Sequence, residues 1–126
     1  MIGYITVGTN NLPKAVAFYD ELFAEFGAGR FMQEERFVAW AIAPDQSGFS
    51  VCLPFDGNPA TAGNGTMIAL AADSADKVDS VYSKALQLGG TDEGPPGVRS
   101  DGFYAAYFRD LDGNKLNVFF MQMAGT

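Results

Sequence analysis

The chain of 126 residues contains no histidine. That absence excludes Ser-His-Asp and Cys-His catalysis, imidazole general bases and every His-liganded metal site. A single cysteine, Cys52, excludes an intramolecular disulfide, CxxC redox chemistry and a thiolate zinc cage. Positive charge is scarce: eight Lys and Arg against fifteen Asp and Glu leave a net charge of -7. Nucleic acid and anionic membrane both need a basic footprint, so neither is expected as a partner. Long apolar runs are missing as well. The longest, residues 37–43 (FVAWAIA), is far short of the roughly 18 residues of a membrane helix. The opening MIGYITVG has neither the basic stretch nor the apolar core of a signal peptide. A cytoplasmic location is the expectation.

The residues that are present describe a globular domain: 48% are hydrophobic and 18% charged, which is enough apolar material for a core. Residues 2–8 alternate as a strand, with Ile5 and Val7 against Tyr4 and Thr6. Asn10 or Asn11 caps a helix that has Pro13 in its first turn and runs to about residue 26. Val16, Phe18, Tyr19, Leu22, Phe23 and Phe26 form its apolar stripe, and Gly27 and Gly29 end it. Residues 30–34, 37–43 and 49–53 read as strands separated by turn signals. Residues 56–65, rich in Gly, Asn, Pro and Ala, read as a linker. The pattern then restarts. A strand over 66–72 precedes a Ser74-capped helix that ends at Gly89-Gly90. A weak strand near 91–93, a Pro-Pro-Gly loop, and strands over 103–109 and 115–121 joined by a hairpin turn at 110–113 complete the chain.

The halves look like copies. A shift of 63 puts Tyr4 on Met67, Tyr19 on Tyr82, Phe23 on Leu86 and Gly27 on Gly90. For the last strands a shift of 65 puts Gly48 on Gly113, Val51 on Leu116 and Cys52 on Asn117. The expected fold is α+β. Two βαβββ modules, about 1–55 and 66–126, form a cup-shaped mixed or antiparallel sheet with helices on the outer face. Ile5, Val7, Val51, Leu53, Ile68, Leu70, Leu116, Val118 and Phe120 form the face that helices must cover. Tyr4, Thr6, Cys52, Met67, Ala69, Lys115, Asn117 and Phe119 form the other, mixed in character.

Three stretches then resemble one family: GYITVGTNNLPKAVAFYDELF, GTMIALAADSADKVDSVYSKALQLGG and FYAAYFRDLDGNKLNVF. The first is similar to an opening strand, polar turn and helix with a Phe-Tyr pair. The second repeats that plan, and the third has an aromatic strand, an Asp-x-Asp-Gly-Asn turn and a last strand. Together they resemble the vicinal oxygen chelate superfamily of glyoxalases, bleomycin-resistance proteins and extradiol dioxygenases. The resemblance implies a cup with four metal-ligand positions, His or Gln on the first strand of each module and Glu on the last. Carried onto this sequence, the positions are Tyr4, Cys52, Met67 and Asn117, the Cys52 assignment resting on the turn alignment. A phenol, a thiol, a thioether and a neutral amide do not suit the divalent metals such enzymes use, which want imidazole and carboxylate. No metal and no cofactor are therefore expected. The resemblance also implies a homodimer, in some members with modules exchanged between chains.

Other candidates read as follows. Cys52 lacks a sequence neighbour that would activate it and reads as a small strand residue. The run Asp110-Leu111-Asp112-Gly113-Asn114 has Lys115 where a calcium loop needs Gly and Met121 where it needs Glu, so it reads as a turn. Glu34-Glu35 and Asp92-Glu93 are neighbours on strands and point to opposite faces. Phe37, Trp40, Phe103, Tyr104, Tyr107 and Phe119 are core residues or the walls of a ligand cavity, with Arg109 at its rim. The expected function is sequestration of a small organic molecule without metal, and the acidic balance favours a cationic or neutral aromatic ligand. The site is read as Tyr4, Cys52, Met67, Asn117, Phe37, Trp40, Phe103, Tyr107, Arg109 and Phe119. Two alternatives stand beside it. One is a metal-independent lyase or isomerase acting on a small carbonyl compound, with Tyr4 as acid and Glu93 as base. The other is a structural dimer with a filled cup.

Overall fold

The computed structural model describes residues 1–122, so the last four residues of the expected second module, 123–126, lie outside the described residues. The chain divides into two compact units, residues 1–62 and from Gly63 onward.

The first unit runs β1 (Tyr4–Gly8), α1 (Leu12–Ala24), β2 (Gly29–Gln33), β3 (Phe37–Ala41) and β4 (Gly48–Cys52). Its sheet order is β1-β4-β3-β2, with β1 parallel to β4 and the other pairs antiparallel. The α1 helix starts where the Asn11 side chain accepts from the Lys14 amide. Pro13 follows in the first turn, where a missing N–H leaves nothing unsatisfied. Ala15, Phe18, Tyr19, Leu22 and Phe23 form the helix stripe that is buried. The sheet meets it with two cross-strand rows, Ile5–Phe49–Trp40 and Val7–Val51–Val38. The join is aromatic: the Tyr19 ring lies 4.8 Å from Phe49 and 5.8 Å from Trp40, and Phe23 lies 4.9 Å and 5.7 Å from the same two.

The second unit runs β5 (Ile68–Ala71), α2 (Ala75–Gln87), β6 (Thr91–Ser100), β7 (Phe103–Arg109) and β8 (Lys115–Met121). The order β5-β8-β7-β6 repeats that of the first, again with one parallel pair, β5 and β8. Its helix-side rows are Ile68–Leu116–Phe108 and Leu70–Val118–Ala106. Val78, Val81 and Ala85 of α2 are buried, a smaller and mostly aliphatic core. Two tyrosines fasten α2 to the sheet: Tyr82 Oη donates to Asp92 Oδ1 at 2.9 Å, and Tyr104 Oη to Asp79 Oδ1 at 2.6 Å.

Two sequence expectations change here. The weak strand at 91–93 followed by a loop is instead one ten-residue strand that passes through Pro95-Pro96. It is the outermost strand of its sheet and pairs on one side only, where missing proline donors are tolerated. Its register also slips between Gly94 and Gly97. The second change concerns the repeat. The helices keep the shift of 63, since Leu12–Ala24 maps onto Ala75–Gln87 and the Asn11 cap onto Ser74. Ile5 pairs with Phe49, however, and its repeat Ile68 with Leu116. The last strands are therefore related by 67, not 65. Asn117 corresponds to Ser50, and Cys52 corresponds to Phe119.

Candidate functional site

In each unit the sheet face turned away from the helix is the one that remains for a ligand. On the first sheet, Tyr4, Thr6, Ser50, Cys52, Phe37 and Ala39 share that face by alternation and register. Tyr4 is 68% exposed. Ser50 Oγ donates to the Ile5 carbonyl at 3.0 Å, which spends its only proton. In its 2.6 Å contact with Thr6 Oγ1, Thr6 is therefore the donor. The Phe31 ring lies over Gly48, where an added Cβ would come within 3.0 Å of Phe31 Cε1. Sequence reasoning missed Phe31, because it sits in a bulge of β2 that breaks the simple alternation.

Trp40 does not belong to this set. It stands three residues from Phe37, an odd spacing that turns it to the helix side. There it is 2% exposed, and its indole Nε1 donates to Asp20 Oδ1 at 2.8 Å. Its bulk completes the core against α1.

Cys52 is half-buried, and burial pushes its thiol above the ordinary value, with Arg36 pulling weakly the other way. Its thiolate fraction at neutral pH is reduced accordingly. Alkylation by iodoacetamide at pH 7.5 is expected to be slower than that of free cysteine and to accelerate as pH rises above 9. A rate equal to free cysteine at pH 7.5 would contradict this environment.

On the second sheet, Phe103, Ala105, Tyr107 and Arg109 of β7 share the face with Lys115, Asn117 and Phe119 of β8 and Ala69 and Ala71 of β5. Phe103 and Phe119 stack at 5.5 Å with 23° between their planes. Tyr107 stands between two cations: the Arg99 guanidinium is 5.5 Å from its ring centroid and the Lys115 ammonium 5.6 Å. Arg109 Nε donates to Glu93 Oε1 at 2.6 Å, and its Nη1 to the Gly113 carbonyl at 2.9 Å. That hydrogen bond and charge hold the Glu93 carboxyl below the usual carboxylate range. Asn117 is 2% exposed, and its Nδ2 donates to the carbonyls of Ala106 at 3.0 Å and Val118 at 3.3 Å. Met67 precedes β5 and is 42% exposed. Arg99 was not among the sequence candidates. Its signal was the spacing Gly94-Pro-Pro-Gly97, two bare positions over which a later side chain can fold back.

The metal positions implied by the resemblance are thus Tyr4, Met67, Asn117 and, by the observed register, Ser50 rather than Cys52. None offers imidazole or carboxylate, and of the Asn117 amide it is the nitrogen that two backbone carbonyls hold. Among the described residues no group of three His, Cys, Asp or Glu is placed to hold an ion. This donor set does not fit a divalent metal.

Among the described residues no helix is long and apolar enough to cross a membrane. No curated protein gives a significant match. Among solved structures, a glyoxalase/bleomycin resistance protein from Albidiferax ferrireducens T118 is 35% identical, with TM-score 0.89 over 97% of this chain and 99% of that one. The hypothetical protein SA1046 from S. aureus is 26% identical, with TM-score 0.74 over 93% and 91%. The fosfomycin resistance protein FosX from Listeria monocytogenes shares the fold at 19% identity, with TM-score 0.73 over 98% and 94%. The profile of the Glyoxalase/Bleomycin resistance protein/Dioxygenase superfamily matches residues 1–118, and the chain belongs to that superfamily.

Proposed function

We propose that this member of the superfamily binds a small organic molecule without metal, as a sequestration protein rather than a metalloenzyme. One observation carries the reading: the four positions where the family's metal would be held offer Tyr4, Ser50, Met67 and Asn117, with neither imidazole nor carboxylate among them. The aromatic residues on the faces away from the helices, Phe37 in one unit and Phe103, Tyr107 and Phe119 in the other, supply the apolar surface that small-molecule sites use. The 35% identical relative is a glyoxalase/bleomycin resistance protein.

The enzymatic alternative is weaker on one specific point. Glu93, its proposed base, is held ionised by Arg109, and a carboxylate with a depressed pKa is a poor proton acceptor. A homodimer is proposed as well, to be read by analytical ultracentrifugation.

The test pairs metal content with ligand screening on untagged protein. After incubation with Zn, Ni, Mn, Fe or Cu and dialysis, mass spectrometry is expected to find far less than one metal per chain. A panel of small aromatic compounds is expected to contain some that raise Tm in a concentration-dependent way. Stoichiometric retained metal would overturn the reading.

A further inference from the structure

We infer that the second unit's sheet carries a recognition site for an amphiphilic anion, a small molecule with an apolar body and a carboxylate head. The inference rests on the binding reading above and names the ligand class for it.

The first observation is charge. Fifteen acids and eight bases make the chain strongly acidic. The face that carries Tyr107 inverts that balance, with Arg99, Arg109 and Lys115 against one carboxylate, Glu93. Asp92, the neighbour of Glu93, is turned to Tyr82 of α2 instead. Glu93 is matched to Arg109 and also feels the Lys115 charge, so one carboxylate serves two of the three cations, and Arg99 flanks Tyr107 with no acid partner shown. Like charges brought to one ring repel each other unless a counter-charge joins them.

The second observation is that the backbone makes room for this arrangement. Arg99 folds back along its own strand and donates to the Pro95 carbonyl. A Cβ at Gly97 would lie 3.0 Å from Arg99 Nη1, and one at Gly94 would lie 3.1 Å from Tyr107 Cδ1 and 3.3 Å from Arg99 Nη2. The guanidinium thus lies across two bare positions that hold it at the ring.

The third observation is polarity along the strands. The paired rows run Ala105–Phe119, Tyr107–Asn117, Arg109–Lys115. The stacked Phe103 and Phe119 mark one end and the cations the other. Residues two apart on a strand are separated by about 7 Å. About 7 Å separates the Phe119 row from the Tyr107 row, and about 14 Å separates Phe103 from Tyr107 along β7; these set the span from apolar body to charged head. A dication or a compact inorganic anion would use only part of such a face. A monoanion with an aryl or short alkyl body would use all of it.

The experiment uses three isosteric probes: 4-phenylbutanoate, 4-phenylbutan-1-ol and 4-phenylbutan-1-ammonium. Binding to the full chain is followed by amide chemical-shift titration. The acid is expected to bind about tenfold or more tighter than the alcohol, and the ammonium more weakly than either. Shifts should centre on β7 and β8, and affinity should fall as KCl is raised. Arg99→Met and Lys115→Met keep the aliphatic stems and should each weaken the acid while leaving the alcohol unchanged. Glu93→Gln should tighten it. Lys14→Met, a cation on α1 of the other unit, is the control and should change nothing; the amide spectra confirm that each variant folds. Equal affinity for all three probes, or preference for the ammonium, overturns the anion assignment while small-molecule binding stands. Absence of binding by these probes and by the whole aromatic panel overturns both.

Discussion

Replacing Trp40 by alanine is expected to cost the protein about 3–5 kcal/mol, the range for truncating a large buried aromatic. Domains of this size are stable by about 5–15 kcal/mol in total, so the variant should sit near the edge of folding. The reason is local. Trp40 is in contact with the Tyr19 and Phe23 rings, and its row neighbour Phe49 meets the same two, so the cavity opens at the centre of the join between α1 and its sheet. The indole also donates to Asp20 Oδ1, an acceptor it shares with Arg30 Nε, while Arg30 Nη2 donates to Oδ2. Trp40→Phe keeps most of the ring and loses only that hydrogen bond, and is expected to cost about 1–2 kcal/mol. Trp40 is the single tryptophan, so urea unfolding must be followed by far-UV circular dichroism rather than fluorescence. The Asp20 cluster adds a pH dependence. The Arg30 hydrogen bond lowers the Asp20 pKa against its burial. A carboxyl with a depressed folded-state pKa contributes stability that is present above its unfolded value, near 4, and lost as pH falls through the folded value. The wild type should therefore lose stability below about pH 4 more steeply than Asp20→Asn. Parallel acid limbs for the two proteins would remove Asp20 from this role.

How much of this was legible in the sequence depends on how local the determinant is. Helix limits were legible because caps and apolar stripes act within a few residues: Asn11, Pro13 and Ser74 announce their helices directly. The paired layout was legible because duplicated elements repeat in order. Register was not. The shift of 65 for the last strands came from matching Gly48 to Gly113. The true relation, 67, is set by hydrogen bonding between strands more than forty residues apart, as in Ile5 with Phe49. That single difference moves the fourth ligand-type position from Cys52 to Ser50. Trp40 was legible and misplaced, since its odd spacing from Phe37 already put the two on opposite faces. β6 was hidden by its composition. Pro-Pro flanked by glycines signals a loop unless the strand is known to be an edge, and edge position is a property of the whole sheet. The inverted charge around Tyr107 was hidden for the same reason. Arg99, Arg109 and Lys115 lie far enough apart in sequence that net charge alone points the other way.

The turn between β7 and β8 supports a second large expectation: Asp110→Ala should destabilise the protein by about 2–4 kcal/mol, since removing a buried acceptor leaves its donors unsatisfied. Asp110 is nearly fully buried. Its Oδ1 accepts from the backbone amides of Asp112 and Asn114, both at 2.9 Å, and its Oδ2 from Asn114 Nδ2 at 2.9 Å. Gly113 takes a φ of +90° in the same turn, a conformation that other residues rarely adopt. The run that superficially suggests a calcium loop is therefore a turn folded around its own first carboxylate. Asp110→Asn is the informative companion. It keeps an acceptor for the two backbone amides but sets a second amide nitrogen against Asn114 Nδ2, and is expected to fall between alanine and wild type. The consequence extends to the ligand face. The Gly113 carbonyl receives Arg109 Nη1, and Arg109 holds Glu93. A loosened turn releases that carboxylate toward Lys115. Both Asp110 variants should therefore weaken 4-phenylbutanoate at temperatures where they remain folded, while the affinity for the corresponding alcohol is retained. Denaturant melts within about 0.5 kcal/mol of wild type for Asp110→Ala would show that water replaces the carboxylate without loss and that the turn holds itself.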